Sequence, residues 1–98
     1  MHYHPMILIT VVCQERMLQP LLELLERGGA TGYTTTAASG LSFGRGTSEA
    51  PRRVVQVIVP HEQADEILAA IVEHDFQNES FILWTTEVKV LRRGRFFY

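Results

Sequence analysis

Between Gly29 and Gly40 the chain reads GATGYTTTAASG. A glycine lets a ligand come close to the backbone, and consecutive threonines offer hydroxyls and N–H groups that can meet a ribose or a phosphate. Gly32, Tyr33, Thr34 and Thr36 are therefore candidate binding residues. A solvated edge strand with a turn uses the same residue types, so the pattern alone leaves both readings open. The second candidate feature is charge. Arg45, Arg52, Arg53, Lys89, Arg92, Arg93 and Arg95 are seven of the nine cationic residues, and they fall in only two places along a chain whose formal net charge is -2. A guanidinium fork matches phosphate or carboxylate, although arginines that flank strands are often simply solvated.

Other reactive types form no constellation. His2 and His4, in HYH, could reach one metal ion from an extended segment, but two ligands are too few for a site. His61 and His74 fall at opposite ends of one predicted helix. Ser39, Ser42 and Ser48 have no placed histidine and aspartate beside them, and Cys13 ends an apolar run that reads as buried. The sequence predicts no covalent chemistry and no metal site.

These residues need a scaffold. Met6–Cys13 is a continuous apolar and β-branched run of strand length. Met17–Arg27 carries leucines at helical spacing, with Glu23, Glu26 and Arg27 on the wet side, Pro20 tolerated in the first turn, and Gly28 and Gly29 as a stop. Thr31–Ala37 reads as the second strand and Ala38–Pro51 as a long Gly, Ser and Thr-rich loop, of a length that is more often functional than incidental. Arg53–Val59 is the third strand. His61–His74 is the second helix, with Ala64, Ile67, Leu68, Ile71 and Val72 on its apolar stripe. Ser80–Leu91 is the fourth strand, and a basic, aromatic tail runs over 92–98.

Strand, helix, strand, strand, helix, strand makes two βαβ halves. With right-handed crossovers the economical arrangement is an α+β, ferredoxin-like βαββαβ sandwich over residues 1–98, with both helices on one face of four antiparallel strands. The uncovered face, rich in Val, Ile and Leu with Trp84, predicts self-association. The chain is 46% hydrophobic and 20% charged, as expected of one soluble domain, and its acidic balance does not suit nucleic acid. With one cysteine, no apolar run long enough to span a bilayer and no signal-peptide pattern, the expected location is cytoplasmic.

ERGGATGYTTT and EVKVLRRGRFF together resemble the PII-like signalling proteins of the nitrogen regulatory P-II family, nearest the branch associated with bicarbonate transporters and carboxysome gene clusters. The resemblance implies a homotrimer that binds an adenine nucleotide between subunits, with no tightly bound cofactor and no catalysis. It implies base and ribose contacts from Gly32, Tyr33, Thr34 and Thr36. Phosphate contacts would come from Arg52, Arg53 and Lys89 and from the Gly94–Arg95 pair. The loop 38–51 resembles the family's T-loop, so Gly40, Ser42, Arg45 and Gly46 are expected to meet a protein target or bicarbonate. That target would be a membrane transporter, recruiting the protein to the inner face of the membrane, or a cytosolic enzyme. The loop lacks the tyrosine that conventional PII proteins modify. HDFQNES, with no glycine or lysine, replaces their phosphate-binding segment, so ADP, AMP or cyclic AMP is expected rather than ATP. The alternatives are a metal-responsive ferredoxin-like trimer using His2 and His4 and linked to metal efflux, and a small phosphate-ester hydrolase of the same fold.

Overall fold

In a computed structural model the residues described are 3–40, 50–74, 76 and 80–91. Strand β1 (Tyr3–Gln14) leads through a 3-10 turn (Glu15–Met17) into helix α1 (Leu18–Arg27). Strands β2 (Thr34–Gly40) and β3 (Ala50–Val59), helix α2 (His61–Glu73) and strand β4 (Phe81–Leu91) follow. The strands form one sheet in the order β2-β3-β1-β4, antiparallel throughout, as the ferredoxin-like arrangement requires. The expected long hairpin between the second and third strands is present as the β2–β3 ladder.

Side chains alternate across the sheet, and the alternation separates two environments. Ile7, Ile9, Val11 and Cys13 of β1 join Val55, Val57 and Val59 of β3 beneath the helices. There they meet Met17, Leu21, Leu24 and Leu25 from the α1 side and Ala64, Ile67 and Ile71 from α2. Val72 is 82% exposed and does not belong to that stripe. It stands about 140° around the helix from Ile67, so the rotation that buries Ile67 turns Val72 to solvent. The opposite face of the sheet has no helix. Leu8, Val12, Val54 and Ile58 share it with Ile82 and Trp84, which are 64% and 46% exposed. A polar pair lies at the centre of that face, where the Gln56 amide donates to the Thr10 hydroxyl at 3.3 Å.

Several boundaries differ from the sequence expectation. β1 begins at Tyr3 instead of Met6, because Tyr3–Met6 pair with Leu91–Val88 of β4 beyond the last β1–β3 pair, Ile7 with Val59. This end of the sheet is a two-stranded ribbon. β2 begins at Thr34, not Thr31, and continues to Gly40; Ala38, Ser39 and Gly40 pair with Arg52, Pro51 and Ala50. The loop is therefore shorter than 38–51 at both ends. Small residues with weak strand propensity are drawn into the ladder by backbone pairing. Pro51 is tolerated because β1 no longer flanks β3 beyond Arg52. Residues 41–49 and 92–98 lie outside the described residues.

The exit from α1 fixes where β2 starts. The Ala30 N–H donates to the Leu25 carbonyl and the Gly29 N–H to the Glu26 carbonyl, both at 3.1 Å, while Gly29 adopts φ 98°. This is a Schellman closure, with the left-handed residue occupied by glycine. Gly28 is needed for a different reason: a Cβ there would stand 2.6 Å from Cγ1 of Ile67 on α2. Gly28→Ala is expected to cost about 1 to 3 kcal/mol by overpacking. Gly29→Ala is expected to cost about 1 to 2 kcal/mol by left-handed strain. Denaturant midpoints of the two variants check both figures.

Cys13 is fully buried, and burial pushes its thiol pKa above the ordinary value. The folded chain then holds this proton more tightly than the unfolded chain, so the associated stability is complete below the unfolded thiol pKa of about 8.5 and declines as pH rises through that range. Cys13→Ala is expected to flatten the alkaline limb of a stability-against-pH profile. The wild-type thiol is expected to resist alkylation at pH 8 until the protein is unfolded.

Candidate functional site

The edge strand β2 places the threonines on two faces. Thr34 lies opposite Gln56 and Thr36 opposite Val54, so both hydroxyls belong to the face without helices. Arg52, opposite Ala38, continues the same row, and its Nε would lie 3.2 Å from a Cβ on Gly40. The absence of a side chain at Gly40 is what lets the Arg52 stem lie across β2 there. Two hydroxyls followed by a guanidinium make a surface suited to a hydroxylated anion such as a sugar phosphate.

Arg53 faces the other way. It pairs with Cys13 and Ala37 on the helix side, and its Nε and Nη2 both donate to Oε1 of Glu15, at 3.1 and 2.9 Å. The contact ties the start of β3 to the 3-10 turn. Neighbouring arginines with opposite directions cannot both serve one phosphate in this arrangement, and Arg53 would have to leave Glu15 to reach any anion. Thr35 shares the helix side, where its hydroxyl oxygen is buried without a hydrogen-bond partner.

Gly32 and Tyr33 belong to the connection between α1 and β2. They line a cavity of about 300 Å³ together with Ala30, Thr31 and the α1 residues Gln19, Leu22, Glu23, Leu25 and Glu26. Residues 19, 22, 23 and 26 follow the i, i+3, i+4, i+7 spacing, so they form one stripe beside the core stripe. From the sequence Glu23 and Glu26 read only as solvated, although the same spacing rule that finds the core also marks this second stripe. A Cβ on Gly32 would meet nothing within 4 Å, so packing within this chain does not require a glycine there.

Lys89 is far from these groups. It pairs with Pro5 on β4, the other edge of the sheet, whereas Thr34 shares a row with Gln56 and Thr10. Three strand spacings and five rows separate them by roughly 20 Å or more. Within one copy, the predicted residues therefore divide into the Thr34–Thr36–Arg52 row, the Gly32–Tyr33 cavity, the Arg53–Glu15 pair and distant Lys89. Gly94, Arg95, Ser42, Arg45, Gly46 and His2 lie outside the described residues. His4 is a ladder residue opposite Val90, and among the described residues no group of three or more His, Cys, Asp or Glu could hold a metal ion. No described helix is long and apolar enough to cross a membrane.

Known proteins supply the frame for this geometry. The family described as nitrogen regulatory protein P-II matches residues 6–95. The chain belongs to the PII family. A protein of Thermus thermophilus classed as PII-like and signalling is 31% identical, with 93% of this chain and 94% of that one covered at a TM-score of 0.78. CPII, a nitrogen regulatory PII-like protein from Thiomonas intermedia solved with ADP, AMP and bicarbonate, superposes at a TM-score of 0.81. That match covers 94% of this chain and 99% of CPII at 19% identity, which establishes the fold alone. A DUF3240 family protein from Shewanella baltica matches at 13% identity and a TM-score of 0.69, covering 94% and 97% of the two chains. No curated protein matches the chain.

The Arg53–Glu15 pair has side chains 30% and 49% exposed, so solvent screens it and its value to stability is about 0.2 to 1 kcal/mol. A double-mutant cycle with Arg53→Gln and Glu15→Gln is expected to give a coupling energy in that range, read from denaturant midpoints.

Proposed function

We propose that this PII-family chain is a non-enzymatic signalling protein that binds an adenine nucleotide, with bicarbonate as a second ligand, in clefts between the copies of a homotrimer. The observation that carries this reading is the family match over 6–95 together with the ADP, AMP and bicarbonate held by its structural neighbour CPII. Two features of this chain support it. The uncovered apolar sheet face needs a partner, and the separation of Lys89 from the Thr34–Thr36–Arg52 row is resolved if a site takes one group from each of two copies. Thr34, Thr36 and Arg52 are the residues assigned to sugar and phosphate, with Gly32 and Tyr33 near the base. Lys89, Gly94 and Arg95 would arrive from the neighbouring copy, and Arg53 would take part only by exchanging Glu15 for phosphate.

The nucleotide then acts through the segment between β2 and β3. Arg52 lies beside Gly40 at its base, so a phosphate that draws on Arg52 changes the contacts at the last residue of β2, from which that segment departs. A ligand shifts such a segment only by its difference in affinity for the two arrangements. Gly40, Ser42, Arg45 and Gly46 are the residues assigned to the loop's target and to bicarbonate. The target is a membrane transporter, met at the inner face of the membrane, or a cytosolic enzyme. The segment 74–80, HDFQNES, offers neither glycine nor lysine to a terminal phosphate, which favours ADP, AMP or cyclic AMP over ATP.

Calorimetric titration with ATP, ADP, AMP and cyclic AMP, each with and without bicarbonate, tests the proposal. Saturable binding of a shorter nucleotide, tightened or weakened by bicarbonate, is expected. Arg95→Ala is expected to lose about 1.5 to 3 kcal/mol of binding free energy, the value of a charge-assisted hydrogen bond. Gly32→Ala should keep the wild-type stability, because its Cβ enters open space, yet weaken the ligand if the backbone approaches it. Heat signals flat across the whole panel would sink the nucleotide reading.

A further inference from the structure

Helix α2 turns to solvent a face that packing within this chain does not use. Val72 is 82% exposed, and Ala69 is exposed with it among the carboxylates of Glu62, Asp65, Glu66 and Glu73. At 3.6 residues per turn these six positions span an arc of roughly 120°, with Ala69 near its centre. One flank of the arc runs into a groove. Glu66, Ala70 and Glu73, at i, i+4 and i+7, line a cavity of about 500 Å³ together with His74 and with Leu24, Arg27 and Gly28 at the end of α1. Leu24 is buried, and Gly28 and Ala70 are half-buried, whereas Glu66 and Glu73 are exposed. An arginine or lysine side chain laid along this groove covers Leu24 and Ala70 with its methylenes and brings its cation to Glu66 or Glu73.

Charge selects the occupant. The two helices carry the carboxylates of Glu23, Glu26, Glu62, Asp65, Glu66 and Glu73 against a single guanidinium, that of Arg27. Among the described residues Arg27, Glu66 and Glu73 form no ion pair. A second copy presenting its own helices would bring like charge to the surface, and an anionic bilayer or a nucleic acid is repelled for the same reason. A cationic helix is complementary, and the small side chain of Ala69 lets its axis come close to α2. We infer that this face of α2 docks a basic amphipathic helix of a target protein, with apolar side chains on Ala69 and Val72 and with arginines or lysines on Glu66 and Glu73. The face lies on the helix side of the sheet, opposite the Thr34–Thr36–Arg52 row. It uses no residue assigned to the nucleotide.

The test titrates the full chain into a labelled helical peptide of alanine with leucine and arginine at i, i+4 spacing, followed by fluorescence anisotropy without nucleotide. Saturable binding is expected. Glu66→Lys and Glu73→Lys are each expected to weaken it, together by about tenfold, and Val72→Ser is expected to weaken it through lost apolar contact. Glu87→Lys makes the same change in charge as either glutamate variant, but on the edge strand β4, and is expected to keep the wild-type affinity. All four positions are exposed, so the core is untouched. No binding, a loss from Glu87→Lys equal to that from Glu73→Lys, a Val72→Ser chain that binds as the wild type does, or equal binding of oligolysine of the same charge overturns the inference. Binding to phosphatidylglycerol vesicles, or a changed oligomeric size when Glu66→Lys and Glu73→Lys are combined, assigns the face to another occupant and overturns it as well. Because no nucleotide is present, a chain that binds the peptide but no nucleotide retains this inference and loses the nucleotide reading.

Discussion

β1 is held on both edges, by β3 and by β4, and one of its faces lies against both helices. That double commitment organises the molecule. Its helix-side residues, Ile7 to Cys13 in alternation, are the ones the leucines of α1 and the isoleucines of α2 close upon, and a shift of one residue in register would turn all of them to the other face. Once β1 is fixed, β3 is fixed beside it, and β2 can only occupy the remaining edge. The threonine row, Arg52 and the base of the 41–49 segment take their places from that chain of constraints. The candidate threonines thus lie on the strand furthest from the element that sets the fold, where backbone hydrogen bonds are satisfied on one side only.

Much of the architecture can be read from the residues, for identifiable reasons. The apolar run of β1, the leucine spacing of α1 and the Gly28–Gly29 stop are strong local signals, and each agrees with the tertiary arrangement. The errors fall where local preference and pairing disagree. Thr31 favours a strand by type, but the closure at Ala30 sends the chain outward and delays β2 until Thr34. Ala38, Ser39 and Gly40 favour no strand, and Arg52, Pro51 and Ala50 opposite them supply the ladder.

The site is less legible than the fold. Residue type groups Arg52 with Arg53, yet strand alternation sends one to each face, and only a register reveals which is which. Charge adds Lys89 to the same group, although a full sheet width lies between. Gly32 stands out in the sequence as a glycine without a turn to explain it, and the structure has open space at its Cβ position. The acidic wall opposite it carries no sequence signal of its own, because Glu23 and Glu26 are what any solvated helix surface contains. Their meaning comes from standing across from Tyr33.

The two-stranded ribbon at the end of β1 and β4 has a further consequence. Tyr3–Met6 and Val88–Leu91 lack the third strand that supports the rest of the sheet, and two strands alone are marginal in water. Local opening should begin there at a small fraction of the global unfolding free energy. The tail is attached to that same end, so anything that captures residues 92–98 also lowers the entropy of the ribbon and suppresses its fraying. Amide protection at Val90 and Leu91 then becomes a built-in reporter of whatever the residues beyond Leu91 engage, read out through order alone.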